Sequence, residues 1–80
     1  MKSRKVYVGV VAEIDEEGNK RPISVKWEDG RVYEIDRVLQ VRRAFAEKVG
    51  GTAVRYTISV CGKITFLFED EGKWFAESKA

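Results

Sequence analysis

Ile23-Ser24-Val25-Lys26-Trp27-Glu28-Asp29-Gly30-Arg31-Val32-Tyr33-Glu34-Ile35 decides the fold of this chain. It reads as two short strands around a glycine turn, and its side chains choose the register. A two-residue Asp29-Gly30 loop would set Val25 opposite Glu34 and turn Tyr33 and Ile35 outward. A three-residue loop, Glu28-Asp29-Gly30, sets Trp27 opposite Arg31, Val25 opposite Tyr33 and Ile23 opposite Ile35. One face is then Ile23, Val25, Trp27, Tyr33 and Ile35. A slip of one residue would reverse every side chain, so the second register is preferred. It is a type I turn followed by Gly30 in the left-handed region, which glycine reaches without steric cost. Arg31 is expected to lie against Trp27 as a cation–π pair.

Upstream, residues 5–14 alternate. Val6, Val8, Val10, Ala12 and Ile14 share one face, the period of a strand. A loop from Glu16 to Asn19 would place Val8 opposite Trp27, Val10 opposite Val25 and Ala12 opposite Ile23, joining the apolar faces. Pro22 has no backbone donor and belongs where the ladder needs none.

Downstream, residues 36–49 carry two readings. Asp36 could cap a helix with Val38, Val41, Phe45 and Val49 on one stripe and Gly50-Gly51 as its stop. The preferred alternative is a bulge near Asp36-Arg37, a strand from Val38 to Arg42, and at most one short helical turn near 43–49. From Thr52 the β pattern resumes. Val54, Tyr56, Ile58 and Val60 alternate, and Ile64, Phe66 and Phe68 follow. Three-residue loops Val60-Cys61-Gly62 and Asp70-Glu71-Gly72 would repeat the Gly30 device. Tyr56 would then oppose Phe66, Val54 would oppose Phe68, and Phe68 would oppose Trp74.

The expectation is a single all-β domain over residues 1–80, mainly antiparallel: a small SH3-like β-barrel of five to six strands, with an OB-type barrel as the alternative. At 80 residues, net stability is expected to be only a few kcal/mol, roughly 3–5.

Trp27 to Leu39, Gly50-Gly51, Arg55-Tyr56-Thr57, Thr65-Phe66-Leu67-Phe68 and Trp74-Phe75 together resemble a family of short uncharacterised bacterial proteins. The resemblance covers most of the chain. It implies a bacterial, single-domain, small β-barrel protein and brings no functional residues with it.

Composition narrows the chemistry. The chain has no histidine and one cysteine, Cys61, so the common zinc sets and histidine-dependent catalysis are excluded. The acidic groups Asp15-Glu16-Glu17, Glu28-Asp29 and Glu69-Asp70-Glu71 fall in expected turns, whereas acid–base catalysis needs carboxylates converging in a cleft. Cys61 lies beside a turn and reads as incidental. Gly50-Gly51-Thr52 lacks the lysine and helix of a phosphate loop. No enzyme activity, cofactor or metal is expected. No apolar run approaches the ~18 residues of a membrane span, and the basic N-terminus is not followed by a signal-peptide core, so a cytoplasmic location is expected.

Charge distribution says more than the net +2. Residues 31–63 hold Arg31, Arg37, Arg42, Arg43, Lys48, Arg55 and Lys63 against Glu34, Asp36 and Glu47. Arg37, Arg42, Arg43, Lys48 and Arg55 are the candidate nucleic-acid-binding residues for DNA or RNA, with Tyr7 or Phe45 as a stacking aromatic. The bland alternative is a solvated face with ion pairs to Glu34, Asp36 and Glu47. The competing functional reading is a protein-interaction module with a groove of Tyr7, Trp27, Tyr33 and Trp74. Against it stands the need of so short a chain to fill its core with those rings.

Overall fold

A computed structural model describes residues 3–46 and 51–79. The chain is all-β and antiparallel. Its strands are β1 (Ser3–Tyr7), β2 (Gly9–Ile14), β3 (Lys20–Lys26), β4 (Val32–Glu34), β5 (Arg37–Ala46), β6 (Gly51–Val60), β7 (Lys63–Asp70) and β8 (Lys73–Lys79). Among the described residues, eight strands thus replace the five to six expected. They form a five-stranded sheet in the order β1-β8-β7-β6-β5 and a three-stranded sheet in the order β2-β3-β4.

The extra strand at the start arises because the alternating run of residues 5–14 is divided between sheets. The Val8 N–H donates to the Trp74 carbonyl (3.1 Å), extending the β1–β8 ladder, and Gly9 then pairs with Lys26 on β3. The chain crosses back at Ile35-Asp36. Ile35 donates to the Ile23 carbonyl (2.9 Å), and Asp36 donates to the Ser59 carbonyl (2.8 Å). One apolar face on each sheet requires such corners. Val25 from the smaller sheet meets Tyr56, Ile58 and Leu67 from the larger. Val8, Val10, Ile35, Val38, Val54, Val60 and Trp74 pack around them. Burying side chains of this size stabilises by about 1.5–3 kcal/mol each.

The deciding hairpin has the expected register. Val25 pairs with Tyr33, the Trp27 N–H donates to the Arg31 carbonyl (2.8 Å), and Gly30 (φ 90°) closes back onto the Trp27 carbonyl (2.9 Å). Asp15 to Asn19 uses the same geometry, with Gly18 (φ 86°) bonded to the Asp15 carbonyl (3.0 Å) and Asp15 to the Asn19 carbonyl (3.0 Å). The loop there is three residues, not four. Val10 does pair with Val25, but Ala12 pairs with Pro22 instead of Ile23. Proline cannot donate to the ladder, and the strand bulges beside it. Pro22 is consequently buried and Ile23 is turned partly outward. Arg31 does not lie on Trp27: its N–H donates to Asp29 Oδ1 (2.9 Å), and its Nε is 3.7 Å from Asp29 Oδ2.

The two later turns depart from expectation. Each has two residues, with Val60 paired to Lys63 and Asp70 to Lys73. Positive φ at both central positions, including the non-glycine residues Cys61 (53°) and Glu71 (51°), marks them as type I′. Tyr56 therefore opposes Leu67, Val54 opposes Glu69, and Phe68 opposes Phe75. The left-handed conformation costs about 1–2 kcal/mol at a non-glycine residue. It is offset by a twist that suits the flanking strands and by burial of Leu67, which is 2% exposed. No helical turn forms at 43–46, which continue β5; residues 47–49 lie outside the described residues. The β5 bulge falls between Val38 and Gln40 rather than at Asp36-Arg37. The Asp36 carboxylate accepts from Ser59 Oγ (3.4 Å) and from the Gly62 N–H (3.3 Å), tying β5 to the β6–β7 turn instead of capping a helix.

Candidate nucleic-acid interface

Alternation on β6 sends Tyr56 and Ile58 to the core between the sheets and Arg55 and Thr57 to the other side. On that far side the register assembles one transverse row. Tyr7 on β1 faces Phe75 on β8, which faces Phe68 on β7, which faces Arg55 on β6, which faces Arg42 on β5. Lys5 and Phe66 lie one alternation further along β1 and β7, on the same face.

The middle of the row is closed and its ends are open. Phe68 and Phe75 stack with centroids 5.2 Å apart and planes 9° apart, and both are buried beside Ala53. Tyr7 meets Phe75 edge-on at 6.2 Å and remains 55% exposed, and Phe66 is 46% exposed. Each open ring carries a cation. Lys5 Nζ sits 4.6 Å from the Tyr7 centroid and 4.9 Å from that of Phe75; Arg55 Cζ sits 4.6 Å over Phe66. Ring quadrupoles attract such cations.

Among the described residues, Arg37, Arg42, Arg43 and Arg55 form no ion pair with a carboxylate. The ion pairs among the described residues use Arg4 with Glu28, Lys20 with Glu69, Arg21 with Glu13, and Arg31 with Asp29. Arg37, Arg42, Arg43 and Arg55 take part in none of them, so the expected neutralisation by Glu34 and Asp36 is not seen. The Nε of Arg55 is buried with no hydrogen-bond partner among the described residues, and the residue as a whole is half-buried. An unpaired buried donor costs about 1–3 kcal/mol. Arg42 and Arg55 are moreover directly opposed, an unfavourable arrangement for like charges.

The structure divides the sequence-derived set. Arg37 (opposite Ser59), Arg42 and Arg55 share the outer face. Arg43 does not: it opposes Val54 and is directed to the other side of β5, because adjacent strand residues alternate. Lys48 lies outside the described residues, as does the side chain of Phe45. Lys5 and Phe66 were missed. Lys5 is two residues from Tyr7, a spacing that places both on one strand face. Phe66 comes to this face because the two-residue β6–β7 turn sets it opposite Thr57 and not Tyr56.

The proposed aromatic groove is also reduced. Tyr7 is on the opposite sheet face, and Trp74 packs on Tyr56 at 5.0 Å within the core. Trp27 and Tyr33 remain, lining a cleft of about 170 Å³ with Val25, Ile58, Val60 and Leu67, whose rim includes Phe66 and Glu77. That is below the roughly 300–1,000 Å³ of sites for drug-sized ligands.

The acidic clusters serve the scaffold. Asp15 Oδ1 accepts from the Glu17 and Asn19 N–H groups (2.9 and 2.8 Å), and the Asn19 bond chiefly holds its carboxyl below the usual carboxylate range. Glu69, 8% exposed, accepts from Lys20 Nζ (3.2 Å) and the Gly72 N–H (2.7 Å). Burial, aided by the Glu69 charge, raises the pKa of Tyr56. Among the described residues no group of three or more His, Cys, Asp or Glu is placed to hold a metal ion, and no helix is long and apolar enough to cross a membrane. No protein-family model, curated protein or solved structure matches this chain.

Proposed function

We propose that this chain is a non-catalytic binding module of the bacterial cytoplasm, an SH3-like small barrel that takes nucleic acid on the outer face of its five-stranded sheet. The observation that carries this reading is the Arg42–Arg55 pair. Two arginines oppose each other across β5 and β6, with no ion-pair partner among the described residues and with Arg37 on the same face. Phosphate is the anion that would relieve their repulsion and meet their donors.

The test is fluorescence anisotropy of labelled DNA and RNA oligonucleotides across a salt series. Contacts from about three cations give a slope of log K against log salt of roughly −2 to −3. Arg42→Glu should flatten that slope by more than one contact's worth, since it removes a cation and adds an anion. Absence of binding at low salt sinks the reading. A second reading, a protein partner at the Trp27–Tyr33 cleft, is favoured by the apolar lining of that cleft. It predicts changes in tryptophan fluorescence on binding that Arg42→Glu leaves intact.

A further inference from the structure

We infer that the nucleic acid taken by this face is single-stranded, its unstacked bases lying on the open rings of Tyr7 and Phe66 while Lys5, Arg55 and Arg42 hold its phosphates. This rests on the nucleic-acid reading above and narrows it.

Two features separate a single strand from a duplex. The first is that the exposed aromatic rings and the cations Lys5, Arg55 and Arg42 share one sheet face, on which Glu77, opposite Lys5 on β8, is a carboxylate that a phosphate chain must pass. Tyr7 and Phe66 are about half exposed, and each is in contact with a cation that also belongs to that face. A duplex keeps the faces of its bases inside the stack and offers proteins only phosphates and base edges. Rings on a sheet face have nothing to stack on inside a duplex, whereas each base of a single strand presents a free π-face.

The second is spacing. Tyr7 is on β1 and Phe66 on β7, with β8 between them. Two strand spacings make about 10 Å, and the offset of Phe66 along its strand adds to it. Bases in a duplex strand rise by about 3.4 Å, so no two neighbours in the stack meet rings this far apart. A single strand splays its bases and spans the gap. The cations follow the same path: Lys5 touches Tyr7 and Phe75 at one end, Arg55 covers Phe66, and Arg42 continues to the sheet edge at β5. The closed centre of the row, Phe68 on Phe75, adjoins Tyr7 across β8 and Phe66 along β7 and gives both rings a packed support.

The experiment measures affinity of the full chain for a labelled 12-nucleotide oligo-dT, a 12-nucleotide oligo-U and a 12-base-pair duplex at low and moderate salt. The proteins compared are wild type, Tyr7→Leu, Phe66→Leu and Arg42→Glu. Leucine keeps an apolar side chain at an exposed position and removes only the π-face. Near-ultraviolet circular dichroism identifies any variant that has lost its fold, and for such a variant Tyr7→Phe or Phe66→Tyr is compared instead and must retain wild-type binding. Expected are single-strand affinity at least tenfold above that of the duplex and a loss of about five- to hundredfold in each leucine variant. The salt slope should be unchanged by the leucine variants and reduced by Arg42→Glu. Duplex binding as tight as single-strand binding, or folded leucine variants that bind like wild type while Arg42→Glu weakens, overturns this inference and leaves the nucleic-acid reading standing. Binding of none of the three probes overturns both.

Discussion

Arg42 and Arg55 stand directly opposite each other on β5 and β6, and neither forms an ion pair among the described residues. Like charges in this relation destabilise a sheet, by roughly 0.2–1 kcal/mol. Arg42→Glu converts the repulsion to attraction. The folded protein should become more stable by about 0.5–1 kcal/mol in urea unfolding, with an unchanged m-value. The same variant should bind nucleic acid more weakly. A substitution that improves the fold and harms binding would identify the pair as functional; if Arg42→Glu lowers stability, the repulsion is not what the pair contributes.

Lys20 and Glu69 connect the smaller sheet to the larger. Lys20→Met leaves the buried Glu69 carboxylate with the Gly72 N–H as its remaining donor among the described residues. A fully buried broken pair costs about 3–5 kcal/mol, and the one-third exposure of the lysine lowers this to about 1–3. Glu69→Gln in the same chain should recover much of the loss, because the amide oxygen still accepts from Gly72 without a charge to bury. Equal urea midpoints for the single and double variants would refute this account.

Tyr56 links stability to alkaline pH. Burial, then the Glu69 charge, raises its pKa above the ordinary value of 10.0. Above that value the unfolded chain loses the phenolic proton while the folded chain keeps it, so stability is complete below about pH 10 and declines as pH rises through the folded value. Thermal unfolding between pH 8 and 11 should show this decline, and Tyr56→Phe should reduce it. A slope identical in the two proteins would place its origin elsewhere.

The turns offer an independent check of the register. Cys61 has φ 53° in a two-residue turn. Asparagine tolerates that region better, and Cys61→Asn should stabilise by about 0.5–1 kcal/mol. Gly30→Ala, at φ 90°, should destabilise by about 1 kcal/mol or more. Were the β6–β7 loop three residues long, Cys61 would sit in the right-handed region and the asparagine would bring no gain.

The site was legible in part for definable reasons. Arg42 and Arg55 could be named from the cationic run, but their facing each other depends on the β5–β6 pairing and its bulge. Arg42 and Arg43 look equivalent as neighbours in sequence, and strand alternation sends them to opposite sides. Phe66-Leu67-Phe68 has no readable period: Leu67 is buried on one face, Phe68 on the other, and Phe66 is left open. A strand covered on both faces loses the alternation that reports which side is inward.

The amino-acid order by itself determined the β class, the Trp27–Arg31 turn and the Val25–Tyr33 register, because those depend on local glycine geometry and on one clean apolar face. Tertiary structure alone decided the division of residues 5–14 between two sheets, the two-residue turns at Cys61 and Glu71, and the row from Tyr7 to Arg42. Those features join positions distant in the chain, and their energies come from packing across sheets that no local pattern contains.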